Sequence, residues 1–219
     1  MQVTADLHVH STYSKDSLIT PKDLVYYAKK RGLTAVAVTD HNQIDGSLQI
    51  AKEVDFPIVA GMEVSSADGH IVALNVSELI PRGLRAVETV DRIHTAGGLA
   101  IAVHPYAWFK GSLASNVEKA KFDAVETLNA SAFPFGRCKR KATELAKKLD
   151  LPQTGGTDAH YGPTIGYGYT SMDCEPNVES IIKAVLAGRC QPLGQAVPFT
   201  VTLQRQYRLI RCRVLGANK

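Results

Sequence analysis

Short runs of apolar, often β-branched residues alternate along the chain with segments whose apolar residues recur at helical spacing. The apolar runs predict seven strands, at residues 3–7, 35–39, 58–61, 71–76, 99–103, 124–128 and 153–155. Helical spacing, helped by proline at one start and glycine after three ends, predicts helices at residues 21–31, 84–96, 139–149 and 177–187. The Asp68-Gly69 pair after the third strand predicts a tight hairpin.

The repeated strand-then-helix order predicts an α/β fold with a parallel sheet and right-handed crossovers. Seven such units in 219 residues favour a small or incomplete barrel of the TIM type, with its active site at the C-terminal ends of the strands. A doubly wound open sheet is the alternative.

Composition excludes several classes of protein. The chain is 45% hydrophobic and 21% charged, as ordinary soluble globular proteins are. No apolar run approaches the roughly 20 residues that a membrane helix needs, and the N-terminus lacks the features of a signal peptide. The four cysteines form no CxxC pair, so we interpret them as reduced thiols of a cytoplasmic protein without a membrane partner.

The net charge of +4 is unevenly distributed, because the chain beyond Glu179 has seven basic and no acidic residues. Residues 196–219 form a basic C-terminal tail with four arginines: Arg205, Arg208, Arg211 and Arg213. Apolar residues at positions 199, 201 and 203 predict an edge strand or extension, with the arginines on its solvent face. Two alternatives are that the arginines near Tyr207 bind nucleic acid, and that the tail pairs with another chain.

Six of the seven histidines lie at or beside predicted strand ends, where acids also cluster. In a parallel barrel these ends share one face, which is where such folds hold their active sites. The polar residues expected at that face are His8, His10, Asp40, His41, Glu63, His70, His104, Glu126, Asn129, Asp158 and His160. A single buried histidine is more often a structural core residue than a metal ligand. Here a purely structural role would have to apply independently to six histidines, so the whole set favours metal binding. The seventh, His94, lies in a helical pattern and is interpreted as an ordinary helix residue.

Spacing along two strands brings metal-ligand types together in pairs. Side chains at positions i and i+2 of a strand point to the same side. His8 and His10 can therefore grip one ion, and so can Asp158 and His160. Mixed imidazole and carboxylate ligands suit Zn, Fe and Mn.

Four further residues have expected supporting roles. Asp6 and Asp40 stand next to candidate ligands and are expected to orient imidazoles by accepting their N–H bonds. Arg137 precedes a helix and is expected to bind a substrate phosphate, the alternative being a solvated helix start. Asn129 is expected to hydrogen-bond the substrate or simply to end its strand.

Seven short motifs follow one another in the order seen in a known family. They are HxH, an acid six residues later, TDH, GxE, a following histidine, HP and TDAH. Together they resemble the PHP family, named for polymerase and histidinol phosphatase domains, from Asp6 to about Gly166. The resemblance implies a distorted (β/α)7 barrel over residues 1–195 that holds a cluster of Zn, Mn or Fe and hydrolyses phosphoesters.

Carried over residue by residue, the resemblance implies nine ligands for two to three divalent metal ions. The first ion would be held by His8, His10, Glu63 and Asp158. The second would share Glu63 and add His70 and His104, and the third would be held by Asp16, His41 and His160. The expected catalytic residues are Glu63, Asp158 and Asp40.

The implied activity is hydrolysis of a small phosphorylated metabolite or nucleotide by a hydroxide that bridges two metal ions. Ser11, Ser14 and the cysteines lack the paired base that a side-chain nucleophile needs. One alternative is a nuclease or 3'-5' exonuclease that uses the same site on DNA or RNA. A second alternative is a non-catalytic PHP module, against which the complete ligand set argues. The sequence predicts no particular oligomeric state.

Overall fold

The computed structural model describes the backbone through residue 215 and side chains through residue 211. Nine strands occur in this part of the chain: β1 Gln2–Val9, β2 Ala35–His41, β3 Ile58–Ser66, β4 Gly69–Leu74, β5 Leu99–Ala102, β6 Ala124–Asn129, β7 Gln153–Gly156, β8 Gly168–Asp173 and β9 Cys190–Gly194. The α-helices described with them are α1 Pro21–Lys30, α2 Asp45–Glu53, α3 Ala86–Thr95, α4 Phe135–Lys148, α5 Val178–Leu186 and α6 Phe199–Leu215. Two short 3₁₀ helices, Ala114–Lys119 and Gly162–Thr164, lie between β5 and β6 and between β7 and β8.

Local capping explains why the predicted helices begin where they do. At the start of α1, Asp23 N donates to Thr20 Oγ1 at 3.1 Å and Thr20 N donates to the Asp23 carboxylate at 3.3 Å. This capping box satisfies amides that have no partner within the helix. At the start of α5, Ser180 N donates to Asn177 Oδ1 at 2.9 Å. All four predicted helices are confirmed, whereas α2 and α6 were not predicted as helices.

The strands form one sheet in the order β7-β6-β5-β4-β3-β2-β1-β8-β9. Strands are parallel from β1 to β3 and from β5 to β7. The expectation of a wholly parallel sheet is wrong at β4, which runs antiparallel to β3 and β5, and at β8, which runs antiparallel to β1 and β9. The Asp68-Gly69 turn causes the first exception, because a hairpin sends the chain straight back along its neighbour.

The sheet curls until its far strands meet. Gly155 N of β7 donates to Thr170 Oγ1 of β8 at 2.9 Å, and Thr170 Oγ1 donates to Gly155 O at 2.9 Å. A side chain at Gly168 would overlap the carbonyl oxygen of Gly156, so glycine is required at this close approach. The result is a mixed α/β fold with a nearly closed, barrel-shaped sheet, which confirms the barrel over the open sheet.

Apolar side chains fill one end of the barrel. Val3, Ala5 and Leu7 of β1 pack in one buried cluster with residues of β2, β4 and β5 and with Ile181 and Val185 of α5. Outside the sheet, α1 and α2 cover one buried cluster, and α3 and α4 cover another. Helix α5 packs against the barrel interior at the end where β1 starts. The opposite end of the barrel is left to the polar residues, which can form a site there.

Helix α6 occupies the tail for which an edge strand was predicted, and that prediction is wrong. Alternation over residues 199–203 was too short to separate a strand from a helix. The exposed apolar residues of α6 in fact recur at helical spacing: Phe199, Leu203, Tyr207 and Ile210. The side chain of Arg213 and all of Lys219 lie outside the described residues.

No helix among the described residues combines the length and apolar character needed to cross a lipid bilayer.

Candidate metal centre

A β-bulge in β1 turns His8 and His10 toward the barrel interior. The pairing of β1 with β2 changes register between Asp6 and Val9. Leu7 packs inside the barrel but Val9 packs outside with α1, so the inside–outside alternation is reset between them. His8 and His10 are consequently both buried, at 1% and 0% exposure.

The hairpin of β3 and β4 carries Glu63 and His70. Val59 packs inside the barrel, and Glu63 lies four residues later on the same face of β3. The hairpin pairs Ser65 with His70 and brings His70 Nδ1 to 2.9 Å from Glu63 Oε1. The predicted Asp-Gly turn is therefore what returns His70 to the site.

His104 and Asp158 follow their strands in the left-handed backbone region, with φ of 31° and 57°. Residues other than glycine adopt this region only where their surroundings hold them there. His104 N donates to Glu126 Oε2 at 2.8 Å, and Asp158 N donates to His8 O at 2.8 Å. These bonds fix the two turns that bring both side chains into the cluster.

The carboxylate of Glu63, 1% exposed, is the centre of the cluster. Among the described residues, five imidazole nitrogens lie within 3.5 Å of it: His8 Nε2 at 3.5 Å, His10 Nε2 at 3.3 Å, His41 Nδ1 at 2.9 Å, His70 Nδ1 at 2.9 Å and His104 Nε2 at 3.1 Å. These histidines belong to all three predicted ligand groups, so Glu63 lies where those groups meet.

Asp158 and Asp16 supply the other two carboxylates. Asp158 Oδ1 lies 3.3 Å from His10 Nε2 and 3.7 Å from His8 Nε2. Asp16 Oδ2, on a half-exposed side chain, lies 3.2 Å from His160 Nε2 and 3.7 Å from His41 Nε2. The structure thus brings together all nine residues predicted as ligands. Within it, four groups of donors lie within 4.8 Å of one another: His8–His10–Glu63, Glu63–His70–His104, His8–His104–Asp158 and His10–His41–His160.

The buried carboxyls remain ionised because of the charges around them. Burial alone would raise the pKa of Glu63, but the surrounding imidazoles, His8 above all, hold it well below its ordinary value. Burial is likewise outweighed at Asp158, where Lys110 and His8 hold the pKa well below its ordinary value. Both groups are therefore anionic, the form that binds a cation.

The imidazoles have opposite pKa shifts according to their neighbours. Burial, reinforced by the nearby His160, lowers the pKa of His10 to about 3. Burial also acts on His41, but hydrogen bonds to Asp16 and Glu63 outweigh it and raise the pKa of His41 to about 10. His10 is therefore a neutral ring, and one of its two nitrogens has a lone pair available for a metal.

Glu126 is the carboxylate placed to orient the His8 imidazole. Its Oε1 lies 3.1 Å from His8 Nδ1, and its Oε2 accepts from His104 N at 2.8 Å and from Asn129 Nδ2 at 2.9 Å. The sequence places Glu126 at a strand end beside the other polar residues, but no role was predicted for it. Its position at a strand end was the sequence signal that could have indicated a role for Glu126.

Asp6 does not orient an imidazole, so this prediction is wrong. Its carboxylate accepts from Thr157 N at 2.8 Å and from Gly166 N at 2.9 Å. Asp6 therefore ties β1 to the loop that carries Asp158. Burial raises the pKa of Asp6 to about 6, although these amides partly offset the effect.

Asp40 also lacks the imidazole contact that was predicted for it. Its carboxylate accepts from Ser11 N at 2.7 Å, from Ser11 Oγ at 2.6 Å and from Ser14 Oγ at 2.8 Å. Ser14 Oγ in turn lies 3.4 Å from His10 Nδ1 and accepts from His41 N at 3.0 Å. Asp40 thus positions two predicted ligands, His10 and His41, through Ser14. The predicted direct contact between Asp40 and an imidazole is wrong.

A cavity of about 770 Å³ opens beside the cluster. The predicted ligands that line it are Asp16, His41, Glu63, His70, His104, Asp158 and His160. Apolar surface comes from Phe109, Phe133, Phe135 and Phe199. Two cations, Lys110 and Arg205, complete the wall, and Lys110 Nζ contacts Asp158 Oδ2.

The two residues predicted to bind substrate do not line this cavity. Asn129 is buried and its amide donates to Glu126. Arg137 is exposed, with its guanidinium carbon 5.4 Å from the centre of the Trp108 ring, a cation–π geometry. The cations at the cavity were instead missed. Lys110 follows the HP motif by five residues, whereas no sequence pattern places Arg205 near the ligands.

A family model described as the PHP domain matches residues 6–124, more than half of the chain. This chain belongs to the PHP domain family. A second model, described as PHP-associated, matches residues 136–190. The predicted resemblance is therefore confirmed.

Two relatives and one solved structure are similar to this chain. An uncharacterized protein of Methanocaldococcus jannaschii is 38% identical over 139 residues, which are 58% of this chain and 81% of that protein. A 5'-3' exoribonuclease of Haemophilus influenzae is 36% identical over 111 residues, 42% of this chain and 40% of that enzyme. A solved two-domain protein of Bacteroides vulgatus, described as containing a predicted PHP-like metal-dependent phosphoesterase, superposes with a TM-score of 0.72 at 18% identity. It covers 89% of this chain and 65% of that structure, and this likeness supports the fold alone.

The PHP cluster has the spacing and the unpartnered atoms expected of a metal site. Zinc–nitrogen bonds of about 2.0–2.1 Å place two tetrahedral ligands about 3.3–3.4 Å apart. His10 Nε2 lies 3.3 Å from both Glu63 Oε2 and Asp158 Oδ1. His8 Nε2 and His10 Nε2 are buried without a hydrogen-bond partner among the described residues. Such atoms cost about 1–3 kcal/mol each, which a bound cation would relieve.

Proposed function

We propose that this protein is a metal-dependent phosphoric ester hydrolase that releases phosphate from a small phosphomonoester, either a metabolite or a nucleotide. The observation that carries the proposal is the cluster of nine predicted ligands beside an open cavity. Its unpartnered buried atoms favour cations, and bound cations in turn favour an anionic substrate.

Two to three divalent ions, of Zn, Mn or Fe, would be held by the predicted ligands. The groups proposed are His8–His10–Glu63–Asp158, Glu63–His70–His104 and Asp16–His41–His160. When bound, such ions lower the pKa of a water molecule and neutralise charge on phosphoryl oxygens. Glu63 joins the groups because its carboxylate reaches histidines of each. The ammonium of Lys110, beside Asp158, is placed to attract a phosphoryl oxygen in the cavity.

Water, rather than a side chain, is the proposed attacking group. Ser11 and Ser14 lie near the ligands, but both hydroxyls donate to Asp40. Both serines are buried, and the described cavity lining contains neither. We therefore assign Asp40 a positioning role and Glu63 and Asp158 the roles at the reacting centre.

The cavity volume supports a small substrate. Pockets for small molecules usually have volumes of about 300–1,000 Å³. The volume of about 770 Å³ here lies inside that range and suits a metabolite or a nucleotide. Phe109, Phe133 and Phe199 supply apolar surface for the part of the substrate that carries the phosphate.

A nuclease is the second candidate, and exposed aromatic residues favour it. Phe109 is 94% exposed, Phe133 59% and Trp108 48%. Phe109 and Phe133 line the cavity, and Trp108 directly precedes Phe109. Exposed aromatic rings stack on the bases of single-stranded nucleic acids. The Haemophilus influenzae relative is described as an exoribonuclease, which is consistent with this alternative. A non-catalytic module is disfavoured because all nine predicted ligand residues lie together in the cluster.

A phosphate-release screen with defined metals tests the proposal. The protein is loaded separately with Mn, Zn or Fe and offered phosphorylated metabolites, nucleotides, single-stranded oligonucleotides and duplexes. We expect inorganic phosphate from small phosphomonoesters and none from duplexes. The matched pair of variants is Glu63→Gln, which should be inactive, and Glu144→Gln at an exposed site on α4, which should keep wild-type activity.

Two outcomes would overturn the preferred function. Cleavage of oligonucleotides without phosphate release from small esters would favour the nuclease. Absence of any hydrolysis by protein that carries two or three metal ions would favour the non-catalytic module.

A further inference from the structure

Helix α6 reaches the cavity because the segment before it crosses the face where the ligands lie. After β9, Gln195 N donates to Tyr167 O at 2.8 Å, and Val197 N donates to Ala130 O at 2.9 Å. Ala130 directly follows β6 and itself lines the cavity. The first turns of α6 then contribute three cavity-lining side chains: Phe199, Thr202 and Arg205.

Arg205 differs from the other described arginines of α6. Its Nη2 donates to Asp16 O at 3.2 Å, and its Nε is buried without a hydrogen-bond partner among the described residues. Arg208 and Arg211 are exposed, and Arg211 lies over the ring of Tyr207 at 5.8 Å. The predicted solvent position is therefore confirmed for Arg208 and Arg211 and wrong for Arg205.

The position of Arg205 places a permanent cation beside the predicted ligands. A guanidinium stays protonated in proteins and offers only donors. Burial lowers the pKa of Arg205, while Asp16 and Asp158 oppose that shift. A buried, unpartnered N–H on a charged group is costly, and an anionic oxygen from a ligand in the cavity would satisfy it.

We propose that Arg205 binds an anionic oxygen of the substrate phosphoryl group, so that α6 completes the phosphate site from outside the barrel. The inference rests on the proposed function, because the anion is the phosphoryl group of that substrate. A guanidinium fits phosphate oxygens well, since its N–H groups lie in one plane. A phosphomonoester has three terminal oxygens and a phosphodiester only two. Arg205 thereby selects monoesters, because the additional oxygen is the one left for it.

Binding of inorganic phosphate to the metal-loaded protein tests this without turnover. Isothermal titration calorimetry compares wild type with Arg205→Ala, Arg205→Lys and the control Arg208→Ala, one turn further along α6. Loss of a charge-assisted hydrogen bond should weaken phosphate binding by on the order of 10- to 100-fold in Arg205→Ala. The phosphate affinity of Arg205→Lys should lie between those of wild type and Arg205→Ala, because lysine keeps the charge but not the planar donor set. Arg208→Ala should match wild type.

Kinetics on a matched pair of esters test the selectivity. For p-nitrophenyl phosphate, Arg205→Ala should raise KM by a factor similar to the loss in phosphate affinity, with kcat changed only a few-fold. For bis(p-nitrophenyl) phosphate, KM should stay at the wild-type value.

Several results would overturn the proposal. These are phosphate binding by Arg205→Ala at wild-type strength, no phosphate binding by metal-loaded wild type, or an equal rise in KM for both esters. Loss of metal from Arg205→Ala, measured by elemental analysis, would show instead that the side chain only holds the Asp16 segment. Failure of the proposed function has a different signature. A wild type that binds phosphate but hydrolyses neither ester would refute the function, while the calorimetry would still decide the role of Arg205.

Discussion

Replacing Glu126 by glutamine should move a proton onto the ligand face of His8. The carboxylate of Glu126 is surrounded by three partners: His8 Nδ1 at 3.1 Å, His104 N at 2.8 Å and Asn129 Nδ2 at 2.9 Å. Two of these are fixed N–H donors, whereas an imidazole nitrogen can donate or accept. Glutamine replaces one carboxylate oxygen by an NH2 group, so one side of the site must change from accepting to donating.

The energies decide which way the new amide points. If its NH2 group faced His104 N and Asn129, two buried donors would lose their acceptor, at about 1–3 kcal/mol each. If the NH2 group faces His8, the one change is that His8 Nδ1 must accept a hydrogen bond instead of donating one. The second orientation is therefore preferred, and His8 then carries its proton on Nε2, the atom that lies 3.5 Å from Glu63 and 3.7 Å from Asp158. A protonated nitrogen cannot bind a metal.

The expected result is a metal affinity about 10- to 100-fold below that of wild type, the usual effect of removing a partner that orients a ligand. Competition with a chromogenic chelator measures the affinity, and urea unfolding of the metal-free protein measures stability. Stability should fall by about 1–3 kcal/mol, because a charge-assisted hydrogen bond is lost while the fold survives. Glu144→Gln, at an exposed position, is the control. A folded Glu126→Gln protein with wild-type metal affinity would refute the reasoning.

Three further predictions concern the site and the tail. Elemental analysis should find two or three transition-metal ions per chain after reconstitution with Mn or Zn; less than one would contradict the ligand assignment. Glu63→Ala should abolish phosphate release, whereas His94→Ala, whose ring contacts Asp123 on the outside, should stay within a few-fold of wild type; equal damage from both would show that the histidines were wrongly sorted. The double change Arg208→Gln and Arg211→Gln should leave turnover unchanged and oligonucleotide binding weak; tight binding that falls steeply with salt and is lost in the variant would favour the nuclease.

The sequence pattern favoured the barrel over an open sheet and placed most of the candidate ligands at one face, and the reason is physical. Apolar runs between helical segments can bury themselves only as inner strands, so polar residues at their ends must collect at one face. His8, His41, Glu63 and Asp158 are such residues, and the structure brings them together. Short-range rules were enough for the hairpin as well, because an Asp-Gly turn depends on two residues only. The return of His70 to the site could therefore be predicted from the sequence.

Tertiary structure decided which charged groups serve the cluster. Asp6 and Asp40 are neighbours of ligands in sequence, yet they bind backbone amides and serines. Glu126 instead meets His8 across 118 positions of sequence, because the curved sheet brings together β1 and β6, which are not neighbours in the strand order. Local pattern cannot choose among buried acids, since each binds whichever donors the closed barrel leaves nearest.

The same reason separates the arginines of the C-terminal helix. Arg205, Arg208 and Arg211 are alike as sequence, three residues apart in a polar segment. Only the path of the chain after β9, tied down at Tyr167 and Ala130, turns the first toward the cavity and leaves the other two in solvent. Spacing along one segment determines which side chains share a face. What that face meets is determined by contacts between residues far apart in the chain, and these exist only once the barrel has closed.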